Sequence, residues 1–262
     1  MKAIILCGGM GTRLREHSGE LRPKPMVEVG GRPILWHIMK IYASHGITDF
    51  VLALGYKGAV IRDYFLRYEE MSRDVTVTLG RHGAVEVHGA AHEEQGWRIT
   101  LVDTGESAQT GARVARALRY VGVDETFAVT YGDGVSDVDL GAVLVFHRAS
   151  GALATITGVR PPGRFGELRQ DAEGRVIAFA EKPQVSEGVI NGGFFFFEPG
   201  FRRYLSEHDD HALEGDAIER AVRDRVVSVY VHPGYWQCMD TPRDWQTLET
   251  LWTGGRAPWR RW

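Results

Sequence analysis

Apolar residues fill Ala3-Ile-Ile-Leu-Cys7 without a break and then give way at once to glycine. A short run that is apolar on both faces and closed by a turn predicts a strand buried in a parallel sheet. Pro33 opens a helical pattern with Ile34, Leu35, Ile38, Met39 and Tyr42 on one face, closing at Gly46. Phe50–Leu54 repeats the buried-strand pattern. Gly58–Tyr68 is a second amphipathic segment, with Val60, Ile61, Tyr64 and Phe65 predicted to point inward. This strand–helix alternation predicts a parallel sheet with right-handed crossovers.

The middle of the chain changes period. Val75–Leu79, Ala84–His88 and Trp97–Val102 alternate apolar with polar positions and are separated by glycine-containing turns, which predicts short antiparallel strands. Thr110 is placed to cap a helix whose Val114, Ala117, Leu118 and Val121 share a face. Phe127–Tyr131 is a further buried strand, followed by a helix over Leu140–Ala149 and a strand over Leu153–Val159. Beyond it the pattern predicts strands over Val176–Ala180, Val189–Phe197 and Val226–Val231, and helices over Pro199–Leu205, Asp216–Asp224 and Pro242–Trp252. Phe194–Phe197 is expected to be buried on both faces rather than to cage a ligand. With no repeat, low-complexity segment or linker, one α/β domain over residues 1–262 with a mixed central sheet is the simplest account.

Composition narrows the function. At 44% hydrophobic and 25% charged residues the chain is of ordinary globular type. A net charge of -3 argues against a nucleic-acid partner while leaving room for a local anion site. No apolar run approaches the ~18 residues of a membrane span, and no signal peptide is apparent. Two cysteines, Cys7 and Cys238, are too few for a disulfide framework, so two buried thiols in a reducing cytoplasm are expected.

The first strand runs into Gly8-Gly-Met-Gly-Thr-Arg13. Glycines there allow backbone N–H groups to turn toward phosphate oxygens. A Walker A loop would end in Gly-Lys-Ser/Thr, which is missing, and a dinucleotide fingerprint from Gly9 would need glycine where Leu14 stands. A glycine turn without a ligand is the plain alternative. Lys24, held between Pro23 and Pro25 in extended backbone, is either a surface charge or a partner for polyphosphate. Asp133, between two glycines, ends a buried strand at the edge where open α/β sheets bind ligands, although a turn would also favour it. Asp240 stands just before Pro242 and has the N-cap as its competing explanation. Should the two carboxylates converge, they suit Mg²⁺, which takes one or two carboxylates with phosphate oxygens and water. Glu181-Lys182 and Asn191-Gly192 add an acceptor, a cation and an amide. His208 and His211 are expected in an exposed polar loop, not a metal site. Trp259–Trp262 has two open placements, its own domain or a neighbouring subunit.

Taken together, Gly8–Leu14, Pro23–Met26, Pro33–Lys40, Leu101–Gly105, Tyr131–Val135, Pro161–Gly166, Ile190–Phe195 and Ala257–Trp259 resemble the sugar-1-phosphate nucleotidyltransferases, and among them the members using CTP and glucose 1-phosphate. The resemblance spans nearly the whole chain. It implies a Rossmann-like three-layer fold with a mixed, mostly parallel sheet and additional small β elements. Residues 1–135 would serve chiefly the nucleotide and residues 136–262 the sugar phosphate. It further implies that Leu6, Cys7, Gly8, Gly9, Met10, Gly11, Thr12, Arg13, Lys24, Gly111, Arg113 and Gly132 bind the nucleotide. Tyr131, Gly166, Glu181, Lys182, Asn191 and Gly192 would meet the sugar phosphate, and Asp133 and Asp240 would hold Mg²⁺. Arg13, Lys24, Asp133 and Asp240 carry the catalytic role. The implied partners are a nucleoside triphosphate and a sugar 1-phosphate, in a cytoplasmic homo-oligomer. The sequence departs from the family pattern at Ala112, where a second glycine is expected, at Cys7, where alanine is usual, and in the length of the spacer before Pro23. The departure at Ala112 leaves dTTP, UTP or GTP as alternative nucleotides, another sugar or cyclitol 1-phosphate is the alternative acceptor, and a non-catalytic nucleotide-sugar sensor is the reading from another class.

Overall fold

The buried runs assemble into one seven-stranded sheet. The computed structural model describes residues 1–9, 22–80, 84–89, 92–160, 167–170, 175–180 and 188–262, with backbone only for 167–170 and 178–180. The sheet strands are β1 (Ala3–Cys7), β2 (Asp49–Leu54), β3 (Arg98–Asp103), β4 (Phe127–Tyr131), β5 (Ala154–Val159), β6 (Ile190–Phe197) and β7 (Val227–His232). Their spatial order is β7-β5-β6-β4-β1-β2-β3. β1 pairs in parallel with β2 and β4, β2 with β3, and β5 with β7. Only β6 is reversed, antiparallel to both β4 and β5.

Side-chain alternation along β1 shows why both faces had to be apolar. Ala3, Ile5 and Cys7 enter one buried cluster with Ile34, Ile38 and Tyr42 of the helix Ile34–Ala43. Ile4 and Leu6 enter another with Val114 and Ala117 of the helix Thr110–Ala117. The sheet is thus sandwiched between layers, the arrangement that buries a parallel sheet on both sides. Phe194, Phe195, Phe196 and Phe197 are all fully buried, as their run predicts, and divide between the two clusters.

Several expectations are corrected. Arg98–Asp103 does not join an antiparallel set; it is the parallel edge strand of the main sheet. Ile99 and Leu101 pack half-buried against one cluster while Val102 is buried in the other, so the alternation carries no information on pairing direction. The expected antiparallel pairing holds for Val75–Thr78 with Ala84–Val87, an exposed hairpin. The helix Gly58–Leu66 buries Ile61 while leaving Val60 exposed. Thr110 does not cap its helix, because its hydroxyl is committed to Glu214 and to the Leu213 N–H. Pro199–Tyr204 is a 3₁₀ helix, and the segment expected as one helix from Asp216 begins as a π-helix over Leu213–Ile218. Cys7 and Cys238 are free thiols, the first buried and the second half-buried. His211 is buried rather than exposed. Trp259 docks on its own chain, stacked between Tyr235 and Trp252.

Candidate active site

β1 and β4 are parallel neighbours, so both deliver their C-terminal ends to one edge. Gly8 follows β1 there, and Gly132-Asp133 follows β4. Reversal of β6 brings its N-terminal residues to the same edge, since Phe194 sits opposite Thr130 and Asn191 precedes it. Asp240 arrives by a small ribbon in which Gly134–Ser136 pairs with Trp236–Cys238. The Met239 N–H donates to the Asp133 carbonyl at 2.8 Å and continues that ribbon by one step.

These elements bring Asp133 and Asp240 together around one cation. The Lys24 ammonium donates to Asp133 Oδ2 at 2.6 Å and also to Asp240 Oδ1. Burial disfavours the charged ammonium, but the two carboxylates outweigh that and hold its pKa above the ordinary lysine value. Lys24 opens a single 3₁₀ turn, Lys24–Met26, after an extended Pro23, so the backbone is only partly as the prolines predict. Asp240 is relieved of capping duty: Thr241 is the N-cap of the helix Pro242–Thr253 and shares a reciprocal capping box with Asp244. That removes the competing explanation for a carboxylate at position 240. Two oxygen-donor side chains sharing one cation fit a hard divalent ion, which needs no further protein ligands when phosphates supply the rest.

A cavity of about 370 Å³ lies on one side of this pair. Its lining includes Leu6, Gly8, Gly9, Lys24, Gly132 and Arg113, all expected at the nucleotide, together with Thr110, expected as a helix cap, and Gln109, which sequence reasoning did not single out. A second cavity of about 290 Å³ is lined by Asn191, Gly192, Gly193, Trp236 and Cys238. Tyr131, Asp133 and Asp240 line both. Two compartments with a shared wall of carboxylates suit two anionic reactants that must meet.

The glycines divide by purpose. A Cβ at Gly8 would lie 2.1 Å from the Arg113 guanidinium, so glycine is needed there for a protein contact. Among the described residues nothing lies within 4 Å of such a Cβ at Gly9. At Gly132 a Cβ would press on the Leu6 carbonyl at 2.8 Å. Gly111, expected at the nucleotide, instead packs beneath His211, and Cys7 points into the core. Neither lines the cavities.

Arg113 is buried and donates to the carbonyls of Gly8, Leu54, Gly105 and Glu106 and to Thr104 Oγ1. It fastens the end of β1 to the loop after β3, so its main work is bracing the cavity floor. Ala112 is fully buried, with its N–H on the His211 carbonyl, and the departure from glycine therefore falls behind the cavity wall. Cys238 Sγ lies 3.5 Å from Asp240 Oδ2, and burial, with the nearby carboxylates, pushes its pKa up to about 12. Met10, Gly11, Thr12, Arg13, Gly166, Glu181 and Lys182 lie outside the described residues.

Comparison with known proteins places the chain in a family. The sequence model of the nucleotidyl transferase family matches residues 2–249. A glucose-1-phosphate cytidylyltransferase of Salmonella typhi is 48% identical over 262 residues, all of both chains. The chain belongs to the nucleotidyl transferase family. A probable glucose-1-phosphate cytidylyltransferase of Bacillus subtilis is 39% identical to this nucleotidyltransferase, again over the whole of both chains. The crystal structure of a putative glucose-1-phosphate thymidylyltransferase from Bacillus anthracis superposes with a TM-score of 0.68 at 18% identity, covering 96% of this chain and 94% of its own, and so shares the fold. The Rossmann-like α/β architecture with a mostly parallel sheet is that of the family. Among the described residues no helix is long and apolar enough to cross a membrane.

Proposed function

We propose that this enzyme joins CTP and α-D-glucose 1-phosphate to give CDP-glucose and pyrophosphate. The observation that carries the reaction type is the shared wall of Tyr131, Asp133 and Asp240 between two cavities. Full-length likeness to relatives bearing that activity in their names supports the choice of substrates. The nucleotide is assigned to the cavity beside Gly9, Gln109 and Lys24, and the sugar phosphate to the one beside Asn191 and Gly192.

In the reaction an oxygen of the sugar phosphate attacks the α-phosphorus of the nucleotide, and the bond to the departing pyrophosphate breaks. The attacking oxygen is already anionic, so no general base is required. The barrier is mainly repulsion between two polyanions, and positioning with charge neutralisation answers it. Mg²⁺ is the proposed cofactor; held by Asp133 and Asp240, it supplies charge neutralisation at the reacting phosphates. Lys24, already paired with both carboxylates, is then in reach to exchange them for phosphate oxygens. Arg13, Glu181, Lys182 and Gly166 keep their proposed roles at the triphosphate and the sugar. The enzyme is further proposed to act in the cytoplasm as a homo-oligomer.

The second reading keeps the reaction and changes the base, because Ala112 stands where the family resemblance implies a glycine in the nucleotide-binding segment Thr110–Arg113. A catalytically silent sensor is disfavoured by the presence of Lys24, Asp133 and Asp240 in one cluster. A pyrophosphate-release assay over a matrix of nucleotides and sugar 1-phosphates tests all three. The expected result is turnover concentrated on CTP with glucose 1-phosphate. Turnover of another pair with none of this one overturns the substrate choice, and turnover of no pair favours the sensor.

A further inference from the structure

Glu214 belongs to no motif, yet it joins the two cavities. Tyr131, in the wall common to both, donates its hydroxyl to Glu214 Oε1. Thr110, in the wall of the first cavity, donates its hydroxyl to Glu214 Oε2 at 2.7 Å. A carboxylate accepts hydrogen bonds and gives none, so the Tyr131 and Thr110 hydroxyls must both donate to Glu214. Tyr131 Oη, having spent its proton, can only accept, and Asn191 Nδ2 donates to it at 3.2 Å. The other end of that amide is fixed in the matching sense, since the Gly193 N–H donates to Asn191 Oδ1 at 2.8 Å. On the first-cavity side, Thr110 Oγ1 accepts from the Leu213 N–H at 2.9 Å.

We propose that Glu214 is a positioning residue that braces the facing walls of both cavities and sets Asn191 as a hydrogen-bond donor toward the sugar phosphate. The inference rests on the two-substrate reading above. Losing the carboxylate loosens Thr110 and Tyr131 together and leaves the Asn191 amide without its directed partner. A ligand phosphate or hydroxyl oxygen would then meet a less ordered donor on each side.

The test is steady-state kinetics on the full-length enzyme, varying each substrate, for Glu214→Gln, Tyr131→Phe and the double variant. Glu214→Gln is expected to raise KM for both substrates about five- to tenfold, the loss of roughly one directed hydrogen bond on each side, with kcat changed less. Tyr131→Phe should raise KM for the sugar phosphate alone. In the double variant that KM should not rise beyond the Glu214→Gln value, because one relay has already been broken. Glu214→Asp, which keeps the charge, should recover part of both losses, and it carries the test should Glu214→Gln fail to fold. A folded Glu214→Gln enzyme with both KM values within about twofold of wild type overturns the proposal, and so do additive effects in the double variant. If another substrate pair proves to be the one used, the same comparison is made with that pair. If no pair is turned over, calorimetric binding of nucleotide and of sugar phosphate replaces KM, so failure of the reaction does not hide the result for Glu214.

Discussion

Asp133 and Asp240 come from distant parts of the chain and share one ammonium, Lys24, within hydrogen-bond reach of both. The place of Asp133 just beyond a buried strand was legible in the sequence, because an apolar run gives way there to a carboxylate between glycines, whereas Asp240 read equally well as an N-cap. Convergence was not legible, since it depends on the ribbon pairing Gly134 with Cys238. Asp133→Asn or Asp240→Asn is expected to lower turnover at least ~10²-fold through lost charge stabilisation. Each variant should keep its thermal unfolding midpoint near that of wild type. Near-normal turnover in a metal-titrated assay would remove that residue from the site. Arg113 and Gly8 show the opposite limit of sequence reasoning. A cation near a glycine loop suggests a phosphate contact, but only the fold reveals that this guanidinium occupies the space a Cβ at Gly8 would need. Glu214 carried no local signal at all, for its partners are distant in sequence.

Among the elements, the helix Ile34–Ala43 and the C-terminal segment meet at His37. His37 is buried, with Nε2 at 2.8 Å from the Val29 carbonyl, and the Trp259 indole N–H donates to its Nδ1 at 3.4 Å. Nδ1 accepts only while it carries no proton, so the neutral ring is the form that docks Trp259. Burial pushes the His37 pKa down to about 4 from an ordinary 6.5. A basic group with its folded-state pKa lowered binds fewer protons folded than unfolded between those values. Its stabilising effect is therefore complete above about pH 6.5 and is lost as pH falls toward 4, by on the order of 3 kcal/mol. Urea unfolding followed by tryptophan fluorescence should show this loss in wild type and a smaller one in His37→Gln. Equal losses in the two proteins would contradict the assignment. At this scale most elements were legible from periodicity, because two-sided burial leaves continuous apolar runs such as β1 and Phe194–Phe197. Strand direction at the sheet edge was not, because alternation is silent on the partner's direction.

For the whole molecule, the reversed β6 is what turns a phosphate-binding edge into a two-substrate site, by carrying Asn191 to the ends of β1 and β4. That topology has no signature in the sequence of β6 itself, in which Asn191-Gly-Gly leads into the buried run Phe194–Phe197. The exposed hairpin Val75–Thr78 with Ala84–Val87 bears on assembly. Leu79 is 89% exposed and Met71 78%, with Leu66 and Val77 also largely exposed nearby in the chain. Such apolar exposure supports the proposed homo-oligomer, with this segment at the contact. Light scattering after size exclusion should give a multiple of 29.2 kDa for wild type and a smaller mass for Leu79→Glu. A monomeric wild type, or an unchanged mass for the variant, would exclude that contact.

The two substrates are proposed to react directly with each other across the Asp133 and Asp240 wall, without a covalent enzyme intermediate. The stereochemical course at the α-phosphorus tests this most directly, using CTP carrying sulfur at one α-phosphoryl oxygen in a single configuration. A single in-line displacement predicts inversion in the CDP-glucose analogue formed. Retention would require two displacements through an enzyme-bound nucleotide and would contradict the account.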